Sequence, residues 1–427
     1  MTQLIVLIIV SAILISAQPG IAAEAPVVVS RHLGSVRGEI DGISFLVLRG
    51  THEEQGEAHG VLGGEDILTV LNETLIPQVE KHPGAWDAAI LPMIRTLDFP
   101  SRYVTEIDAM LRGIRKALPN PEDRELVALG REICVDDLRA LSCVGDIMSA
   151  SYNVGDGGCS SFSTWGSLTS DGALISGRNL DYGTFPGTIR FTLIAREATE
   201  PGRLATLDIS ASGTVGASTA MNSEGIVLMM HDEHGLPIET TTGHTPRPLV
   251  NRDAIEQLRI AQRPHEIADL FRSKRVMTGN NTPIVFPSRG GLPGPNACVV
   301  EWDGNPLADG AALRLPDEGV KANAMFCTNH YLQRRDPGER EGNSHRRMAS
   351  LVDAVEAARI ANTTIGLEEA KRMMNDVAVR GEGVTYLTAI AFPDERRMVF
   401  ATTPETGVPA TEGRWVEITW DEIFGAR

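Results

Sequence analysis

The chain has 427 residues, 42% of them hydrophobic and 22% charged, enough apolar material to bury a sizeable core in one large domain or in two or three smaller ones. A formal net charge of −17 argues against nucleic acid or an anionic membrane as a principal partner. Five cysteines (134, 143, 159, 298 and 327) leave at least one unpaired thiol in an exported protein, and the absence of a Cys-x-x-Cys pair argues against a thiolate zinc site.

The N-terminus opens with an apolar run over residues 4–15, followed by small residues at Gly20-Ile21-Ala22-Ala23. This reads as a secretory signal over residues 1–23, although its n-region has no Lys or Arg. The run is short for a membrane span, so no stable insertion is expected once the signal is removed. The chain is therefore expected to be exported, to the periplasm or beyond.

Residues 24–158 read as mainly helical after two strands, at 27–37 and 42–48. Thr51 and Glu54 have capping-box spacing, opening a helix over 52–75. Further helical periodicity covers 86–97, 104–118, 124–129 and 136–149, and residues 153–158 are a loop by composition. The pattern changes at Cys159. Short β-type runs follow at 161–168, 173–177, 190–195, 204–209, 214–221 and 226–230. Helices are predicted at 250–261 and 265–272, then strands at 283–286, 297–302 and 322–327, with 278–282 read as a turn. Helices at 344–360 and 367–375 and strands at 385–392, 398–402 and 415–419 complete the chain. Blocks of strands alternating with helix pairs imply stacked sheets covered by helices, an α+β fold. No internal repeat or interdomain linker is evident.

Cys159 carries the chemistry of this pattern. Gly158 puts no side chain beside its own carbonyl, so the Cys159 thiol can attack that carbonyl and shift the peptide from nitrogen to sulfur. Hydrolysis of the resulting ester would leave Cys159 as a new N-terminus. Its α-amine, with an unperturbed pKa of about 7.7–8.0, would then serve as a base for its own thiol, at about 8.5. Arg178 and Asp181 lie three residues apart just after a predicted strand. In an unrelated protein such a pair is a surface ion pair worth about 0–1 kcal/mol.

Gly158-Cys159-Ser160-Ser161-Phe162, followed by Gly177-Arg178-Asn179-Leu180-Asp181-Tyr182, resembles the N-terminal-nucleophile (Ntn) hydrolases acting on linear amide C–N bonds. These include the penicillin acyltransferase group (peptidase C45), the choloylglycine hydrolases and the acid ceramidase-like enzymes. The resemblance runs in patches from about residue 49 to 402. It implies a four-layer αββα sandwich, cleavage between Gly158 and Cys159, and α (24–158) and β (159–427) chains that stay associated. It also implies that Asp181 holds the Cys159 α-amine and that Arg178 lowers the thiol pKa.

Met221-Asn222-Ser223-Glu224-Gly225 is similar to a family turn whose strand ends, in relatives, at an oxyanion-hole Asn; here His231 or Asp232 stands at that place. An ionised Asp side chain cannot donate a hydrogen bond, so His231 or a backbone N–H is expected to supply that donor. Four successive residues, His231 to His234, alternate faces on a strand and rarely chelate one ion. Thr328-Asn329-His330 resembles the segment whose Asn donates to the oxyanion, with His330 behind it. Asn343-Ser344-His345-Arg346-Arg347 resembles an element that turns Arg347, rather than Arg346, toward the site.

The implied activity is hydrolysis of a small N-acyl amide through an acyl-thioester, with no cofactor and no metal. An acyltransferase that passes the acyl group to another amine shares the first half-reaction. A non-catalytic binding protein on the same scaffold and a thiol protease using a His partner are the readings from other classes.

Overall fold

The computed structural model describes residues 25–151, 158–187, 189–233, 242–287, 296–303, 310–316, 322–334, 342–381 and 383–426. The predicted strand at 27–37 is in fact two, Val27–His32 and Ser35–Ile40, joined by the two-residue turn Leu33-Gly34. Both turn residues have positive φ (48° and 76°), the geometry whose twist matches that of a hairpin. Asp41-Gly42 repeats the device before Ile43–Leu48.

Thr51 and Glu54 form the expected capping box on the helix His52–Val70, which packs lengthwise on Ser101–Ala117. The two helices meet through glycine. A Cβ on Gly60 would strike the Met110 carbonyl oxygen, and one on Gly113 the Glu57 carbonyl oxygen. In place of the helix predicted at 124–129, Glu125–Leu126 pairs with Arg131–Glu132 and the chain between them makes a short 3-10 turn at Val127–Leu129. The helix predicted over 136–149 is broken into Val135–Leu141 and Val144–Ser151.

Among the described residues two large sheets form. In the first, of eleven strands, the three N-terminal strands continue through Phe191–Arg196, Thr206–Ala211, Thr219–Asn222, Val227–Met229, Gly279–Val285, Ala297–Trp302 and Ala311–Arg314. His231–Glu233 pairs beside Val227–Met229 on the same partner, Gly279–Val285. The second sheet has six strands, in the order Ala324–Cys327, Cys159–Thr164, Ile175–Gly183, Gly383–Phe392, Arg397–Thr402 and Trp415–Thr419. The pairing of Ile43–Leu48 with Phe191–Arg196 is parallel and the other pairings among the described residues are antiparallel.

Side-chain alternation builds the layers. From the second sheet, Cys159, Met325, Ala389 and Phe400 point into the core they share with Met221, Met229 and Val285 of the first. Phe162, Phe326, Ile390 and Val399 point the other way, onto helices Asn343–Ala361 and Leu367–Asp376. On the far side, Ala220, Leu228, Ile284 and Val300 pack on Arg247–Ile255 and Pro264–Arg272. The order is helix, sheet, sheet, helix, the expected αββα sandwich.

The turn predicted at 278–282 is overturned: Gly279–Val285 is a central strand, buried throughout and paired on both sides. Its polar residues misled the reading, and the fold satisfies them internally, for example with the Trp302 indole N–H donating to Thr282 Oγ1 at 2.9 Å. The strand Ala311–Arg314 and the helix Trp420–Gly425 were not predicted.

Candidate active site

Cys159 begins the Cys159–Thr164 strand and is 3% exposed. Gly158 packs against Asn329 and Arg347, and a Cβ there would run into the Asn329 side-chain oxygen. The neighbouring strand, Ile175–Gly183, is longer than the predicted 173–177, so Arg178 and Asp181 lie within it rather than after it. Cys159 pairs with Leu180, which sets Asp181 beside Gly158. Residues three apart on a strand face opposite sides. Arg178 therefore lies on the thiol side, with Nη2 3.6 Å from Cys159 Sγ, and also donates to the Met230 carbonyl and Thr219 Oγ1.

Asp181 lies on the amide side. Its backbone N–H donates to the Gly158 carbonyl at 2.7 Å, and its Oδ1 accepts from Thr385 Oγ1 at 2.6 Å. Thr385, missed in the sequence, is itself oriented by the Val379 N–H at 2.8 Å. Arg347 Nη1 stands 3.9 Å from Asp181 Oδ2.

Asn329 sits between the nucleophile's nitrogen and the strand His231–Glu233. Its Oδ1 accepts the Cys159 N–H at 2.8 Å and Arg347 Nη2 at 2.8 Å, while its Nδ2 donates to the Asp232 carbonyl at 2.5 Å. One amide N–H is thus bonded to backbone, the second N–H of the same nitrogen is left over, and the oxygen faces the nucleophile's nitrogen. Arg347 Nη1 also donates to the Cys159 carbonyl and to Ser160 Oγ at 2.6 Å. Arg347 is 5% exposed and its neighbour Arg346 is exposed.

The segment carrying Asn329 is held by Asn281, which no motif marks, and by Ser344 of the motif that carries Arg347. Asn281 Nδ2 donates to the Thr328 and His330 carbonyls at 3.2 and 3.1 Å, and Ser344 Oγ accepts the Asn329 N–H at 2.9 Å. His330 bonds through Nδ1 to Ser344 Oγ at 2.8 Å and stacks on His345 at 3.8 Å. Burial and the neighbouring cations push its pKa down to about 4. His231 is fully buried, and burial followed by Arg178 and Arg347 holds it well below the ordinary imidazole range, so it is neutral. The Asp232 carboxylate pairs with Arg247 Nη1 at 2.9 Å and lies near enough to Cys159 for its charge to help push the thiol pKa up.

The electrostatics depend on the chain being continuous. Burial pushes the Cys159 thiol up, against the pull of Arg178. Burial also pushes Asp181 up to about 6, opposed by Arg347, Thr385 and Arg178. Both groups are therefore largely proton-bound at pH 5.

Asn222 caps its own turn, accepting the Glu224 and Ile226 N–H groups at 3.0 and 3.1 Å, so that turn acts as framework. All five cysteines are free thiols. No group of three or more His, Cys, Asp or Glu side chains suited to a metal ion occurs among the described residues, and His234 lies outside them. The signal run and residues 153–157 of the predicted loop also lie outside them. No helix among the described residues is long and apolar enough to cross a membrane.

A cavity of about 710 Å³ of atom-free space, part of it open to solvent, is lined in part by Leu180, the strand partner of Cys159, and by Met230, whose carbonyl lies 3.6 Å from Sγ. Cys159 itself does not line it. Val70, Leu75, Phe185 and Phe191 make much of the rest apolar.

No family model and no curated protein matches the chain. Among solved structures, it is similar to a Caenorhabditis elegans ortholog of N-acylethanolamine-hydrolyzing acid amidase, at 14% identity, covering 60% of this chain and 99% of that one, with a TM-score of 0.37. It is also similar to a mutant of the conjugated bile acid hydrolase from Clostridium perfringens (13% identity, 62% and 97% coverage, TM-score 0.39). A second variant of that hydrolase matches at 13% identity, 62% and 98% coverage and a TM-score of 0.39.

Proposed function

We propose that this chain is the precursor of an N-terminal-nucleophile cysteine amidohydrolase that frees its own nucleophile. The observation that carries the reading is the hydrogen bond from the Cys159 N–H to Asn329 Oδ1 at 2.8 Å. A conventional thiol enzyme organises its site around sulfur and a His partner. Here the polar groups gather around the nitrogen and the Gly158 carbonyl, and the partners of Sγ are the Met230 carbonyl and Arg178.

Cys159 Sγ attacks the Gly158 carbonyl, the C–N bond breaks, and the thiol proton passes to the departing nitrogen. Water then cleaves the thioester, releasing the Gly158 carboxylate and leaving a free amine on Cys159. In the processed enzyme that amine, held by Asn329 Oδ1, takes the thiol proton as sulfur attacks a substrate amide, and returns it to the leaving nitrogen. The cavity at Leu180 and Met230 suits an N-acyl amide with an apolar group on one side of the scissile bond. Cleavage of a signal over residues 1–23 and export precede this maturation, and the chains on either side of the cut remain together.

Intact-mass measurement with N-terminal sequencing tests the reading. A fragment beginning Cys159-Ser160-Ser161 is expected from the native sequence, a whole chain from Cys159→Ala, and slow processing from Cys159→Ser. A whole native chain that nonetheless turns over substrate would sink it.

A further inference from the structure

Arg247 opens the helix Arg247–Ile255 and is completely buried, along with Asp146. Its Nε donates to Asp146 Oδ1 at 2.7 Å and its backbone N–H to Asp146 Oδ2 at 3.1 Å. Its Nη1 reaches Asp232 Oδ1 at 2.9 Å and the Gly279 carbonyl at 3.0 Å. One guanidinium thus joins three pieces of chain. Asp146 sits on Val144–Ser151, the last described helix before the proposed cut, and Asp232 sits on the strand His231–Glu233 beside the nucleophile.

The connection continues into the site. The Asp232 carbonyl accepts Asn329 Nδ2, and Asn329 Oδ1 accepts the Cys159 N–H. We propose that Arg247 is a positioning residue: it ties Asp146, ahead of the cut, to the Asp232 backbone that orients Asn329 toward the nucleophile's nitrogen. The segment before Cys159 is then a working part of the mature enzyme and not only a leader to be displaced. A planar fork serving two carboxylates at separate nitrogens is a task a lysine ammonium does not reproduce. This inference rests on the function proposed above.

The alternative is that the network only holds the fold together, and kinetics separate the two. Arg247→Lys and the isosteric Asp146→Asn are compared with the native chain and with Glu106→Gln, which breaks a different buried ion pair, to Arg252, among groups the mechanism does not use. The readouts are the rate of appearance of the Cys159 N-terminus, kcat and KM on an N-acyl p-nitroanilide, and Tm. Misplacing Asn329 is expected to lower both the cleavage rate and kcat about ten- to hundredfold in Arg247→Lys and Asp146→Asn. KM should stay within about twofold, and Glu106→Gln should lose Tm while keeping kcat. Native kcat in the two variants overturns the proposal, and so does failure of both to fold, which would assign Arg247 to structure alone. A native chain that never cleaves removes the proposed function and this inference together, an outcome visible before any variant is made.

Discussion

Gly158 shows how little freedom one position keeps at this site. Its carbonyl is fixed by the Asp181 N–H at 2.7 Å, and the space where a side chain would begin belongs to the Asn329 carboxamide and Arg347. Gly158→Ala must therefore shift one of these groups. Strain of about 1–3 kcal/mol, if relieved by moving Asn329, slows self-cleavage about 5- to 150-fold. A time course of fragment formation on gels reads this directly. Asp181 makes a second prediction. In the uncleaved chain its folded pKa is about 6 against an ordinary 3.8, raised by burial. The folded state thus holds this proton more tightly than the unfolded one, and the associated stability is full below about 4 and is lost as pH rises through 6. Any step of self-cleavage that needs the Asp181 charge gains an acid limb near pH 6. Cleavage rates measured from pH 4 to 8 should show that limb, and Asp181→Asn should be slow and flat across the same range.

At the scale of elements, the helices His52–Val70 and Ser101–Ala117 are held at a separation that only glycine permits. Gly60 and Gly113 each lie against the other helix's backbone. Gly60→Val overpacks that contact and should cost about 1–3 kcal/mol, measured as a lower urea midpoint with an unchanged slope. The same helix pair joins His52 to Glu106, which accepts from Arg252, so its spacing also sets a buried ionic contact with the helix Arg247–Ile255. The strand Ile175–Gly183 has a different duty. By running past its predicted end it places Arg178 and Asp181 on opposite sides of Cys159, one toward sulfur and the other toward nitrogen.

For the whole molecule, a cut at Cys159 separates surfaces that are deeply shared. The strand Ile43–Leu48, ahead of the cut, pairs in parallel with Phe191–Arg196 beyond it, and the core between the sheets draws residues from both segments. Glu106–Arg252 and Asp146–Arg247 are further buried links between them. The two fragments are therefore expected to co-elute as one particle under native conditions and to separate only in denaturant, as native and denaturing mass spectra would show. Elution of free fragments in native buffer would contradict this.

Local patterns in the chain determined the change of character at Cys159, the capping box at Thr51, and the alternation of strand and helix blocks that makes stacked sheets covered by helices. The four-layer order, and the choice of Arg178, Asp181, Asn329 and Arg347 beside Cys159, came from the resemblance of their motifs to a known family, and the fold gathers these residues around one peptide bond. What each group points at was decided only by tertiary structure. Asn329 turns one amide N–H to the Asp232 carbonyl because two segments remote in sequence meet there, and nothing within the motif Thr328-Asn329-His330 encodes that meeting. Thr385, Asn281, Asp146 and Arg247 stand in no recognisable motif. Their importance comes chiefly from contacts 47 to 204 residues away in sequence, and the first half of the strand Gly279–Val285 reads as a turn because its Asn and Thr side chains find their partners only inside the folded protein. Composition and periodicity report which face a residue presents to the core; partners brought together by long-range packing decide which atom of a polar side chain does the work.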